Sequence, residues 1–87
     1  MERASGAVYL RWWKRNQPAS QPVRMQDEAS ARAKILGRFP AVTFGRRVRT
    51  AVLVGIDVVL YAYDGPQESG KKPIAEILYP AEGSHLA

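Results

Sequence analysis

The amino-acid sequence predicts a small α+β domain in which one helix packs on an antiparallel sheet of three to four strands. The chain has 87 residues, enough for one domain and too few for two, so we expect residues 1–87 to form a single domain. One segment, at about residues 26–37, has the composition of a helix. The segments around it alternate apolar and polar residues as strands do, which predicts the order β-α-β-β-β.

The first predicted strand covers residues 7–14, AVYLRWWK, which are rich in β-branched and aromatic types. Neighbouring residues of a strand point to opposite faces, so Trp12 and Trp13 cannot share one core. We expect one of them to face the helix and the other to lie on the open face or in an interface. Residues 15–24 follow, and their two prolines among polar residues predict a loop.

The helix prediction rests on signals at both of its ends. Asp27 and Glu28 suit the positive end of the helix dipole, and Gly37 offers a left-handed stop with a proline beyond it. Glu28 and Arg32 stand four residues apart and are expected as an ion pair on the outer face. The face expected to lie on the sheet carries Met25, Ala29, Ala33 and Leu36, widened by Ile35.

The second half of the chain reads almost entirely as strands. Residues 48–63 predict two strands joined by a tight turn at Gly55-Ile56-Asp57, and residues 74–79 alternate as a final strand. The short segment 41–44 is expected to add a strand or a bulged extension. The tail, residues 80–87, is expected to be disordered.

Residues 64–73, DGPQESGKKP, resemble a phosphate-binding loop in the spacing of Gly65, Gly70 and Lys71. A working loop of this kind needs a hydroxyl residue after the lysine and a helix to receive the phosphate. Lys72 stands at the hydroxyl position, and a predicted strand follows. The sequence therefore favours a polar hairpin loop and not a nucleotide site.

Composition indicates the cellular location of the protein and the charge of its partner. The chain has no cysteine and lacks both a signal-peptide pattern and an apolar run of membrane-spanning length, so we expect a cytoplasmic protein that binds no membrane. Its net charge of +5 is uneven: residues 1–50 carry eleven Lys or Arg against three acids, and residues 51–87 carry two against five. An acidic protein surface or a nucleic acid is the natural partner of such a basic half, although solvated arginines explain it equally well.

The candidate partner-binding residues combine one tryptophan with arginines of that basic half: Arg11, Trp13, Arg15, Arg46, Arg47 and Arg49. An exposed Trp among arginines is typical of a protein interface, and it also suits stacking on bases with phosphate contacts. The simpler interpretation is that the tryptophan covers the open face beside the tyrosines, and that the arginines protect a sheet edge from unwanted pairing.

Residues for catalysis are few. The one histidine, His85, lies in the predicted tail, and the carboxylates show no acid pair or metal-ligand spacing. Glu76 alternates with Ile74 and Leu78, which leaves a core-facing position open, but its expected role is that of a partly exposed strand carboxylate paired with an arginine. We therefore expect no enzyme, cofactor or metal site. The predicted function is a protein-binding module, an adaptor or inhibitor, with nucleic-acid binding as the alternative and with room for a homodimer.

Overall fold

One helix lies on an antiparallel sheet of five strands. In this computed structural model, residues 7–13, 21–50, 55–66 and 72–81 are described. The α+β class is confirmed, with one strand more than predicted, and no helix in these ranges is both long and apolar enough to cross a membrane. The elements in chain order are β1 (Val8–Trp12), β2 (Val23–Met25), α1 (Glu28–Arg38), β3 (Val42–Arg49), β4 (Ile56–Asp64) and β5 (Ala75–Pro80).

The strands lie in the order β2-β1-β5-β4-β3, and every neighbouring pair is antiparallel. β5 is the middle strand, so the first and last strands of the described chain pair with each other. The DGPQESGKKP segment connects β4 to β5, and Gly65 begins this connection with a φ of 87° that only glycine adopts readily. A strand and not a helix follows this segment, as the sequence predicted, and residues 67–71 of the segment lie outside the described ranges.

The additional strand, β2, lies partly in the predicted loop of residues 15–24. Its three residues pair with β1 at the edge of the sheet, where Val8 is opposite Met25. Pro22 immediately precedes β2, and a proline is tolerated beside a short edge strand because it needs to donate no ladder hydrogen bond there. Residues 14–20 of that loop lie outside the described residues.

β3 joins two segments that the sequence treats separately. A bulge between Phe44 and Arg47 lets one strand run from residue 42 to residue 49, which confirms the bulged extension. The strand predicted from residue 48 ends at Arg49, and residues 51–54 of it lie outside the described ranges. Gly55 has a φ of 81°, as a turn residue does, but Ile56 and Asp57 belong to β4.

The helix was predicted at about residues 26–37 and is observed from Glu28 to Arg38, with the predicted Asp27 at its N-terminus. The Asp27 side chain accepts a hydrogen bond of 2.8 Å from the Ser30 N–H, a typical N-cap. Gly37 is an ordinary helical residue and not a left-handed stop, because α1 continues to Arg38. Phe39 closes the helix in a non-helical conformation, since a residue that precedes a proline avoids the α region.

The face of the helix that meets the sheet also differs from the prediction. Ala31 and Ile35 are fully buried, whereas Ala29, Ala33 and Leu36 are exposed. The buried face of the helix is thus centred on Ala31 and Ile35, and not on Ala29, Ala33 and Leu36. Glu28 and Arg32, expected on the outer face, are half-buried at the junction with the sheet.

Apolar residues fill both faces of the sheet. The larger cluster lies between the sheet and α1 and contains Val8, Leu10, Ala31, Ile35, Leu60, Ala62, Ala75 and Ile77. The smaller one lies on the face away from the helix, where Val59 and Leu78 are each 2% exposed and pack with Ile56. Tyr9 and Tyr61 pack against this second cluster.

Candidate interaction site

The two tryptophans lie on opposite faces, as predicted. Trp12 packs against the larger core, with its ring 6.2 Å from that of Phe39 and the Arg38 guanidinium 4.8 Å from its centroid. Trp13 follows directly after β1 and is 40% exposed, while its N–H donates to the Ile74 carbonyl at 2.8 Å. This hydrogen bond therefore fixes the backbone of Trp13, while much of its aromatic side chain remains accessible to a partner.

Arg11 contacts the Trp13 ring and is held in place by an ion pair with Glu76. Its guanidinium carbon lies 5.8 Å from the centroid of the Trp13 ring, within the range of a cation–π contact. Its Nε and Nη2 both contact Oε2 of Glu76, which is opposite Arg11 in the register of β1 and β5. The Glu76 side chain is only 2% exposed, against 23% for Arg11. The buried Glu76 carboxylate thus holds the Arg11 guanidinium in place, and only part of the arginine side chain is exposed to solvent.

The expected pairing of Glu76 with an arginine therefore occurs, but Glu76 occupies an unexpected place. It lies on the face away from the helix, together with Leu78, because its neighbour Ile77 faces the helix. Its burial comes from the second apolar face, which alternation alone does not reveal. The partner is 65 residues away in the chain, and no sequence spacing signals such a contact.

Tyr61 continues the row of Arg11 and Glu76 onto β4. Burial raises the pKa of the Tyr61 hydroxyl, and the charges of Glu76 and Tyr63 raise it further against the opposing effect of Arg11. By strand alternation, five of the aromatic and basic residues share this face. We call them the Trp13 surface: Tyr9, Arg11, Trp13, Tyr61 and Tyr63.

The other predicted arginines lie elsewhere. Arg46, Arg47 and Arg49 belong to β3, which β5 and β4 separate from β1. Arg47 is opposite Leu60 on the helix side of the sheet, and Arg49 is 84% exposed with its Nη2 3.8 Å from Asp57 Oδ2. The structure does not bring these residues together with Arg11 and Trp13. Arg15, like His85, lies outside the described residues.

A polar cluster around Glu28 ties the helix to the sheet. The sequence indicated only its ion pair between Glu28 and Arg32, which the structure confirms. Arg47 Nη2 and the Tyr79 hydroxyl both donate to Glu28 Oε1, and Arg32 Nε donates to Oε2 at 2.6 Å. Burial of the Glu28 carboxyl opposes its ionisation, but hydrogen bonds from Tyr79, Arg47 and Arg32 outweigh this and lower its pKa to about 2. Burial and the bond to Glu28 raise the pKa of Tyr79 to about 12.

The lowered pKa of Glu28 predicts that its contribution to stability depends on pH. Because its pKa falls from 4.5 to about 2 on folding, the contribution is complete above pH 4.5 and is lost as the pH falls towards 2. We expect Glu28→Gln to lower the free energy of unfolding by about 1 to 2 kcal/mol at pH 7, after allowance for solvent screening. Urea unfolding of both proteins between pH 7 and pH 2.5 measures this difference. A difference that stays constant over this range contradicts the assignment.

No protein-family model matches the chain, and searches of curated proteins and of solved structures found no match either. Within residues 7–13, 21–50, 55–66 and 72–81, no three His, Asp or Glu side chains converge as a metal ion requires.

Proposed function

We propose that this protein is a small non-enzymatic protein-binding module, an adaptor or inhibitor, and that its partner docks on the Trp13 surface. The observation that carries the proposal is the exposed Trp13 beside an arginine already held by a buried carboxylate. Trp, Tyr and Arg are the residues most enriched among the energetic centres of protein interfaces. A pinned arginine also loses less side-chain entropy when a partner binds.

A protein partner is favoured over nucleic acid by the charges on this face. Glu76 compensates the charge of Arg11, so the Arg11 guanidinium beside Trp13 is a poor source of phosphate affinity. The arginine-rich strand β3 is three places away from β1 in the sheet. A base stacked on Trp13 would therefore meet an Arg11 guanidinium whose charge Glu76 already compensates. We also propose a cytoplasmic location, because the chain has no cysteine and small secreted domains usually depend on disulfides.

The test compares Trp13→Ala with a matched control. Leu36 is 43% exposed on α1, away from the Trp13 surface, so Leu36→Ala removes a similarly exposed apolar side chain elsewhere. The wild type and both variants are immobilised, incubated with lysate of the source cell with and without nuclease, and assayed for retained proteins. We expect one discrete protein to bind wild type and Leu36→Ala and to be lost, by about 30-fold in affinity, with Trp13→Ala.

Two further measurements make the outcome decisive. Urea unfolding of Trp13→Ala shows whether the variant is folded, since an unfolded variant would place Trp13 in the core. Sedimentation of the purified protein reports a homodimer, which is then the partner if Trp13→Ala dissociates it. Retention that nuclease treatment removes would overturn the proposal in favour of nucleic-acid binding. Equal retention by Trp13→Ala and the wild type would remove its basis.

A further inference from the structure

The outer edge of β3 is a second candidate surface for a partner. In the described part of the chain, β3 pairs with β4 alone. The Thr50 N–H donates to the Asp57 carbonyl at 3.0 Å, and Val48 is opposite Val59 in the same ladder. Antiparallel pairs alternate, so the backbone groups of Val48 and Thr50 point towards β4. The N–H and C=O of Arg47 and Arg49 therefore point away from the sheet.

The side chains of this edge alternate in character. Arg47 is opposite Leu60 and Arg49 is opposite Val58, so both arginines lie on the helix side of the sheet. Val48 lies on the other side, opposite Val59, and is 45% exposed. A strand added along this edge would meet two cations on one face and an apolar residue on the other.

The charge of this edge is only partly compensated within the described residues. β3 contains three arginines and no acid. Glu28 is shared among Arg47, Arg32 and Tyr79, and Asp57 is a half-exposed partner 3.8 Å from Arg49. An acidic strand complements this edge. A second copy does not, because antiparallel pairing of two β3 strands about Val48 sets Arg47 against the other copy's Arg49.

We propose that the β3 edge binds an extended acidic segment of another protein by strand addition. Two acidic residues at positions i and i+2 pair with Arg47 and Arg49, and the apolar residue between them packs on Val48. Main-chain hydrogen bonds to Arg47 and Arg49 supply the rest of the contact. This surface is separate from the Trp13 surface. Arginines on an edge strand can serve simply to prevent unwanted pairing, whereas the proposal gives those of β3 an acidic partner.

The first experiment uses two synthetic peptides of nine residues with the same composition. One carries Glu-Ile-Glu at its centre between threonines, and the other carries Glu-Glu-Ile, which puts the two carboxylates on opposite faces of a strand. Calorimetric titration at low salt measures both affinities. We expect the alternating peptide to bind at least about tenfold more tightly, because only it matches both faces of the edge. Equal affinities would mean general charge attraction and would overturn the proposal.

Two substitutions at one position separate the side chain from the backbone. Arg49→Ala removes the cation, and we expect it to weaken the alternating peptide about fivefold. Arg49→Pro removes the cation and also the outward N–H, which the sheet itself does not use, so we expect a further loss of about fivefold. If proline and alanine bind the peptide equally, strand addition is refuted.

Amide hydrogen exchange of the wild type gives an independent reading, even if the proline variant fails to fold. Bound peptide must slow the exchange of the Arg47 and Arg49 amides, and unchanged rates would contradict the proposal. Trp13→Ala must bind the peptide as the wild type does. Loss of peptide binding in that variant would place the peptide on the Trp13 surface and not at β3.

Discussion

Replacement of Arg11 by methionine is expected to lower the free energy of unfolding by about 3 kcal/mol, a large share of the roughly 5 to 10 kcal/mol of a small domain. The substitution keeps a long side chain on β1 but leaves Glu76 with no cation. Because the Glu76 side chain is 2% exposed, water cannot replace the lost partner. The lost free energy of unfolding therefore comes from burying an uncompensated carboxylate, and not from the small stabilisation that an ion pair provides.

A double-mutant cycle separates these two contributions. We expect Arg11→Met combined with Glu76→Met to recover most of the loss, because a buried pair replaced by apolar residues of similar size is often neutral or stabilising. Arg49→Met is the matched control, since Arg49 is 84% exposed on an edge strand and should change stability by less than about 0.5 kcal/mol. Urea unfolding followed by circular dichroism is measured for the wild type, Arg11→Met, Glu76→Met, the double variant and Arg49→Met. A fully additive double mutant would show that Arg11 and Glu76 do not depend on each other.

Ile35→Ala is the second change with a large expected effect, a loss of about 3 kcal/mol. Ile35 is fully buried and packs in the larger core between α1 and the sheet. Truncation to alanine removes apolar contact and leaves a cavity that rigid strands cannot close. We expect the far-ultraviolet signal of the folded protein to remain while its unfolding midpoint falls.

Leu36→Ala serves as the comparison because it changes the next residue of the same helix. Leu36 is 43% exposed, and alanine has the higher helix propensity, so we expect a change within about 0.5 kcal/mol. The pair of variants tests the orientation of the helix directly. Should Leu36→Ala be the more destabilising of the two, the helix would pack on the face that the sequence suggested.

The local features of the fold were readable from the sequence. Strand alternation and a helix with Asp27 as its cap predict the α+β class, because these signals arise within a few neighbouring residues. The orientation of the helix on the sheet was not readable from the sequence. Apolar spacing favours the stripe through Ala33 and Leu36, but a carboxylate contact with Tyr79 and Arg47 draws Glu28 towards the sheet. Such contacts depend on tertiary structure, which periodicity does not encode.

The candidate site shows the same division. Opposite directions for Trp12 and Trp13 follow from strand geometry alone, and the structure confirms them. The pairing of Arg11 with Glu76 depends on the register of β1 and β5, which the chain sets through the whole sheet. β2 escaped prediction because three residues after a proline give too short a pattern to distinguish from a loop.

The pairing of β1 with β5 also sets the order in which the domain can be completed during synthesis. Arg11 and Glu76 are 65 residues apart, and a ribosome adds roughly 5 to 20 residues per second, so β1 emerges about 3 to 13 s before its central partner. During that interval Val8 and Leu10 have no middle strand to pack on. The nascent chain therefore presents an apolar strand to chaperones or to neighbouring chains until β5 is made.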